Sequence, residues 1–440
     1  MRLQPKISVV MTVYNTEKYL KEAINSVLNQ TFENFEYILI NDASTDNSLE
    51  ILQSFRDKRL RIVNNPVNMG VAASSNIGLD MARGTYVIRM DSDDISLPHR
   101  FETQLNYMED HPDIGVVGSW VRCFGDQTDD YVWEFPLQHH EIRANQIFNP
   151  KIHHSSIIMR KSLLDRYHLR YNPRFTRSLD YEFYVRHADK LTFANLNEVL
   201  LLYRRHPEQI STGYFNEQQQ LAGEVRLSEL GKLGITPNER EFLLHQMLSI
   251  GSFRPDREFV DQSRSWLEKL WFANKQAAYY SQNEFEKVLA IKWTDVCSAV
   301  AVRNEGLAGE IWTRKFYEFP LHDKAPLPEN EIKPVKLQDL ARGVKNVVIF
   351  GTGRVALNLY AKLKSKYDVI AFIDNNKEVQ EKTVFGIPVM SMESFIQCAG
   401  KNPVVILSSI LGNHDQTVMN KIADQCKDIQ AIVLSWKDLL

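Results

Sequence analysis

Gly84-Thr85-Tyr86-Val87-Ile88-Arg89-Met90-Asp91-Ser92-Asp93-Asp94 is an apolar-rich run that ends in three carboxylates within four residues. It reads as a strand emptying into an acidic loop. Charges so close are costly when nothing opposes them. A hard divalent cation, Mn2+ or Mg2+, with a diphosphate completing its shell, relieves that cost. Acidic turns also follow strands on ordinary surfaces, so the residues on either side decide between the two readings.

Upstream, strand and helix patterns alternate. Residues 7–13 are a β-branched run and read as a buried strand. Tyr19, Leu20, Ala23, Ile24, Val27 and Leu28 fall at helical spacing. A strand over 36–40, a turn over 41–46, a helix over 47–56, a strand over 60–63 and a helix over 71–82 follow. Such alternation predicts an α/β fold with a mostly parallel sheet and sites at the carboxyl ends of its strands. Downstream, Leu97-Pro98 opens another helix and residues 114–118 form another strand. Residues 155–159 are strand-like, and 180–188 are helical.

From about 216 to 319 the pattern is helical, with Trp266, Leu267, Leu270 and Trp271 on one face. That stripe reads as core, and peripheral contact with a membrane surface is the alternative. Pro320, Pro326, Pro328 and Pro334 mark a linker over 320–340. Beyond it, strands at 347–350, 369–373, 404–407 and 431–434 outline a small Rossmann-like domain over 341–440. Gly351-Thr352-Gly353-Arg354-Val355-Ala356 follows the first of these, and Asp374 ends the second. In a dinucleotide fingerprint, Gly351 and Gly353 would let backbone approach a pyrophosphate and Asp374 would take the ribose. NAD(P) or another nucleotide is the candidate ligand there.

Length and composition bound the function. At 440 residues, two or three domains are expected. A formal net charge of -3 gives no electrostatic case for nucleic acid. Cys123, Cys297, Cys398 and Cys426 show no metal or disulfide spacing, which favours a reducing, cytoplasmic setting. Residues 1–6 lead straight into a strand and do not read as a signal peptide. No apolar run approaches the roughly 20 residues needed to span a bilayer. A homo-oligomer is left open.

Seven segments then line up in order. They are Ile7-Ser8-Val9-Val10-Met11-Thr12-Val13-Tyr14-Asn15, Ser26-Val27-Leu28-Asn29-Gln30-Thr31 and Asn41-Asp42-Ala43-Ser44-Thr45-Asp46. After them come Asn68-Met69-Gly70, Asn76-Ile77-Gly78 with Ala82-Arg83-Gly84, the acidic loop, and Leu97-Pro98-His99-Arg100-Phe101. Over residues 1–215 this arrangement resembles the family 2 glycosyltransferases, whose nucleotide-sugar-binding domain is called GT-A. The resemblance implies an α/β GT-A domain over 1–215, followed by the helical region over 216–319.

It also implies site residues. Asp42 aligns with the base-reading carboxylate, although the Asp that usually precedes it is Asn41 here. Tyr14 would lie flat on the base, Thr12 would fix the loop, and Asn68 belongs to the donor-binding set. Asp91-Ser92-Asp93 is the Asp-x-Asp motif, with Asp93 as metal ligand and Asp91 on the ribose or a metal-bound water. Ser178-Leu179-Asp180 stands where the catalytic base is found, with Leu179 replacing the usual Glu. Asp180 is the expected base and Glu182 the fallback, while the bland role for Asp180 is a helix N-cap. Tyr203-Arg204-Arg205-His206 resembles a late element whose His completes the metal shell and whose Arg204 could pair with phosphate. His153 and His154 fall in the segment used near the acceptor.

The resemblance therefore implies a metal-dependent, inverting transfer of one sugar from a nucleotide-sugar, a UDP-sugar first, to a glycan or lipid-linked acceptor in surface polysaccharide or lipopolysaccharide synthesis. The Gln-x-x-Arg-Trp motif of processive members is absent. Two rivals stand beside it. One is an NAD(P)-dependent sugar-nucleotide oxidoreductase or epimerase acting through the C-terminal domain. The other is a non-catalytic nucleotide-sugar-binding scaffold.

Overall fold

Residues 7–13 do form a strand, and the sheet grows from it. The computed structural model describes residues 4–125, 131–206 and 215–303, and most of 344–435 apart from short breaks. The expected linker, 320–340, lies outside the described residues. The chain divides into two units, Met1–Thr236 and Pro237–Leu440.

In the first unit, β1 (Ile7–Val13), β2 (Phe35–Asn41), β3 (Leu60–Asn64) and β4 (Tyr86–Met90) are parallel and run in the order β3-β2-β1-β4. Every residue of β1, β2 and β4 is buried, as expected where helices cover both faces. The period of two sorts them. Val10, Ile38, Ile40 and Val87 pack with Ala72 and Leu79 of the helix Val71–Met81. Val9, Met11, Tyr37, Leu39 and Ile88 pack with Leu20, Ala23, Ile24 and Val27 of the helix Glu17–Leu28.

Past β4 the sheet becomes mixed. β5 (Ile95–Ser96), β6 (Val116–Phe124), β7 (Tyr131–Trp133), β8 (Ile158–Arg160) and β9 (Phe193–Arg204) continue it as β4-β8-β6-β9-β5, with β7 on β6. The short β5 pairs with β9 in antiparallel register, Ile95 with Leu202 and Ser96 with Leu201. The acidic loop is thus tied at one end to β4 and at the other, through β5, to β9. The unit runs on through the helix Phe215–Lys232, whose buried Arg226 donates from Nε to the Phe148 carbonyl at 2.8 Å.

In the second unit, helices Glu239–Ile250, Arg257–Ala277 and Gln282–Arg303 precede a sheet. Trp266, Leu267 and Leu270 are buried there, and Trp266 Nε1 donates to His245 Nδ1 at 3.1 Å. The aromatic stripe is core. β10 (Asn346–Phe350), β11 (Asp368–Ile373), β12 (Thr383–Val384), β13 (Ile387–Met390), β14 (Val404–Ser408) and β15 (Ala431–Ser435) run in the order β12-β13-β11-β10-β14-β15. All of these pairings are parallel except β12 with β13. No described helix is long and apolar enough to cross a membrane.

A buried carboxylate locks β1, β2 and the turn into β4. Glu36 accepts from Ser8 Oγ at 2.7 Å, Arg83 N at 2.8 Å and Arg83 Nη2 at 2.6 Å. This brings residue 84 onto the β1 backbone. A Cβ at Gly84 would sit 2.5 Å from Ser8 N and 2.7 Å from Ile7 C. Backbone cannot give way as a side chain can. Gly84→Ala is expected to cost about 3 kcal/mol of stability. Urea unfolding of the two proteins checks this, and a loss within about 0.5 kcal/mol would show that the contact relaxes freely.

Candidate active site

The strand register assembles the site. Val13 lies opposite Asn41, and Met11 lies opposite Met90. Thr12, Tyr14, Asp42 and the acidic loop therefore leave the sheet side by side at its carboxyl end. Asp42 is buried, and its carboxylate is held from three sides. Oδ1 accepts from Asn65 Nδ2 at 2.8 Å and Met69 N at 2.9 Å, and Oδ2 accepts from Gly70 N at 2.8 Å. Asn68 Oδ1 also accepts from Gly70 N, at 3.0 Å. Gly70 has φ of 82°, a conformation that favours glycine. The Asn68-Met69-Gly70 motif is thus a loop wrapped on Asp42. Tyr14 and Met69 beside it are 47% and 46% exposed. Met69 was not singled out in the sequence, where it looks like a spacer.

Each acid of the loop has its own partner. Asp91 Oδ1 accepts from Arg89 Nη1. The Asp91 side chain keeps 34% exposure. Burial acts to raise its pKa, but the charge of Arg89 prevails and holds the carboxyl below its ordinary value. Asp93 Oδ2 lies 3.1 Å from His206 Nε2. Asp94 is fully buried, accepting from Ser155 Oγ and from Arg204 N at 3.0 Å. Burial and the charges of Asp93 and Asp91 push its pKa well up.

Two arginines brace the loop. Arg100 is fully buried and donates from Nη2 to the Arg89 carbonyl at 3.2 Å and from Nε to Gln104 Oε1 at 3.1 Å. Burial pushes it down to about 9. This accounts for the arginine of Leu97-Pro98-His99-Arg100-Phe101. Arg204, expected on a donor phosphate, makes bonds to the acidic loop. Its Nε donates to the Asp93 carbonyl at 2.8 Å, and its Nη2 meets Glu22 at 2.5 Å. Its guanidinium lies over the rings of Tyr19 and Phe124. With those bonds made, Arg204 holds the loop that carries Asp93. Tyr19 also touches the His206 ring, with centroids 4.7 Å apart.

Asp180 comes from the other side of the sheet's end. Ser178 has φ of 53°, in the left-handed region, and is the N-cap of the helix Leu179–Arg186. Asp180 is the second residue of that helix, so it does not cap it. It is half-buried. Burial raises its pKa against the hydrogen bonds of the Tyr181 and Asp180 amides, and the charge of Asp91 adds to the rise. Glu182, the fallback base, is buried and bound to Arg186 Nε at 2.5 Å and Nη2 at 3.1 Å. The segment before Asp180 is pinned by Asn76, whose Oδ1 and Nδ2 bond the Tyr171 backbone, both at 2.8 Å. Tyr171 Oη in turn meets His154 Nε2 at 2.9 Å. Burial pushes His153 down to about 4 and His154 further, so both are neutral at pH 7.

Among the described residues, no group of three or more His, Cys, Asp and Glu gathers as a metal cage. Asp93 and His206, among the described residues, bring a carboxylate oxygen and an imidazole nitrogen within 3.1 Å of one another. In the second unit Gly351 has φ of 101° after β10, and Asp374 Oδ1 accepts from Asn376 N at 2.8 Å, an Asx turn. Gly353 lies outside the described residues.

Comparison with known proteins places this geometry. The Glycosyl transferase family 2 model matches residues 8–168. An uncharacterized glycosyltransferase of Haemophilus influenzae is 36% identical over 247 residues, 52% of this chain and 76% of that protein. The amylovoran biosynthesis glycosyltransferase AmsE of Erwinia amylovora is 32% identical over 158 residues, 35% of this chain and 59% of its own length. A solved structure of S. aureus TarS with UDP-GlcNAc covers 69% of this chain and 92% of its own, at 19% identity and a TM-score of 0.45.

The environment of Asp180 has a consequence for stability. A carboxyl whose folded pKa is raised contributes fully below its unfolded pKa, and that contribution is lost as pH rises through the folded value. Asp180→Asn is expected to melt higher than the parent at neutral pH and to lose that margin as pH falls toward about 4. Thermal unfolding across that range checks it. A variant that melts lower than the parent at neutral pH would remove the case for an unfavourably ionised group at 180.

Proposed function

The chain belongs to glycosyl transferase family 2, and from that membership we propose that it is a metal-dependent, inverting enzyme that moves one sugar from a UDP-sugar to a hydroxyl of a glycan or lipid-linked acceptor. The observation that carries this reading is the meeting of Asp93 and His206 at 3.1 Å, from positions 113 apart in sequence. A carboxylate and an imidazole so placed suit Mn2+, with phosphate oxygens and water filling the rest of the shell. When bound, the cation would stabilise the charge that develops on the leaving diphosphate.

The chain's own residues supply the remainder. Asp42, fixed by the 65–70 loop, accepts the imide N–H of uracil through a lone pair still open on Oδ2. Tyr14 gives the base an aromatic face, and Thr12 and Asn68 hold the loops beside it. Asp91 accepts from a ribose hydroxyl. Asp180 takes the proton of the acceptor hydroxyl as that oxygen bonds to the anomeric carbon, opposite the departing diphosphate. The bond from that carbon to the phosphate oxygen breaks, so one displacement inverts the centre. Its raised pKa makes Asp180 a stronger base than an exposed carboxylate. His153 and His154, both neutral, hydrogen-bond the acceptor without repelling it. The name of AmsE supports a role in surface polysaccharide synthesis. Free, scattered cysteines favour the cytoplasm, where such donors are made.

A screen of UDP- and GDP-sugars with Mn2+, scored by nucleoside diphosphate release, tests the reading. A UDP-sugar should respond most strongly, and silence across all donors overturns it. Asp180→Asn is expected to lower kcat by about 10²–10⁴-fold, with UDP affinity near that of the parent. Near-parent transfer by that variant would remove Asp180 from the base role. Asp93→Ala should abolish the tightening of UDP binding by Mn2+, measured by calorimetry.

A further inference from the structure

Arg89 is an unexpected residue for its place. It lies inside β4, between Ile88 and Met90, which are both 0% exposed, and it is itself 3% exposed. Its main chain is fixed: Arg89 N donates to the Ile157 carbonyl at 3.2 Å, and Arg100 holds its carbonyl. Its side chain donates from Nη1 to Asp91 Oδ1, while the buried Nε has no hydrogen-bond partner. A buried cation with an unsatisfied donor is unfavourable, and an aliphatic residue would serve the core better. Arg89 therefore serves something other than packing.

The loop it underlies has three acids with three kinds of partner. Asp93 meets a histidine, and Asp94 meets a hydroxyl and an amide. Asp91 alone of the three is paired with a guanidinium, a cation that keeps its charge throughout the working pH range. One Asp91 oxygen is held from inside the protein. The side chain is still 34% exposed, so that solvent or a ligand can reach its other oxygen.

We propose that Arg89 is the positioning residue that divides labour in the acidic loop: it fixes and neutralises Asp91, so that Asp91 receives a donor hydroxyl while Asp93 and His206 are left to the cation. This rests on the reading above that Asp91 meets the ribose. Without Arg89, the Asp91 carboxylate would swing free and add its charge to those beside it. It would then both repel the diphosphate and compete for the cation.

The test is calorimetric binding of UDP, with and without Mn2+, to the parent, Arg89→Met, Asp91→Asn and the double variant. Thermal unfolding is recorded for each. Arg89→Met and Asp91→Asn should each weaken metal-free UDP binding about tenfold, and the double variant should be no weaker than Asp91→Asn alone, since both act through one contact. Arg89→Met with parent-like UDP affinity, beside a weakened Asp91→Asn, overturns the inference and leaves the donor reading standing. Additive losses in the double variant also overturn it. A parent-like Asp91→Asn removes the donor reading and the inference with it. Should Arg89→Met fail to fold, Arg89→Lys decides, because it keeps the charge but loses the planar fork. Weakened UDP binding at an unchanged melting point supports the proposal, and parent-like binding overturns it.

Discussion

Three carboxylates at the end of one strand must be kept from acting as a single repelling cluster, and much of the first unit is arranged to do that. The sheet sends a different element to each. β4 brings Arg89 to Asp91 from within the strand. β9 brings the Arg204 amide to Asp94, and the residues just past it bring His206 to Asp93. The segment before β8 brings Ser155. Pairing of the two-residue β5 with β9 is what makes these meetings possible, because it places both ends of the loop in one sheet. A loop hung from β4 alone would be free to relax its charges into water, and the distinct environments would vanish.

The same logic explains why the site is poorly optimised for stability. Asp94 is buried with its pKa pushed up, Asp180 is half-buried with its pKa raised, and Ser178 holds a left-handed backbone. Each is unfavourable by itself, and each is retained at the carboxyl end of the sheet. Clustered strain and shifted carboxyls are expected where chemistry is done. In contrast, Glu36 at the opposite end of β2 is a buried acid whose hydrogen bonds from Arg83 outweigh burial and lower its pKa. That carboxylate is structural, and its surroundings show it.

Much of the parallel half was legible in the sequence, because β-branched runs and helical spacing are local signals. Asp42, Asp93, Asp180 and His206 stand out as candidates because they lie in short motifs. The sequence reading missed what depends on distant partners. Arg89 looked like part of a strand, since nothing nearby in sequence says that its guanidinium turns back to Asp91. Nor does the sequence show that Arg204 braces the loop, since Glu22 and the Asp93 carbonyl, its partners, are 182 and 111 positions away. The β5–β9 pairing has no local signature at all. In the second unit, parallel strands were readable from their apolar runs, whereas the Asx turn that Asp374 makes with Asn376 N has no signature of its own.

The reciprocal bonds between Asn76 and the Tyr171 backbone have a wider meaning. They fasten the segment that leads to Asp180 onto the helix Val71–Met81, which packs against β1 and β2. The segment that carries Asp180 is therefore anchored to the parallel half of the sheet, and Tyr181 Oη, which donates to the Gln146 carbonyl, ties it to a second part of the unit. Such a double tie gives the segment a fixed place against the parallel strands, whatever the exposed loops elsewhere in the unit become. A designer grafting new loops onto this unit would best leave Asn76 and Tyr181 untouched.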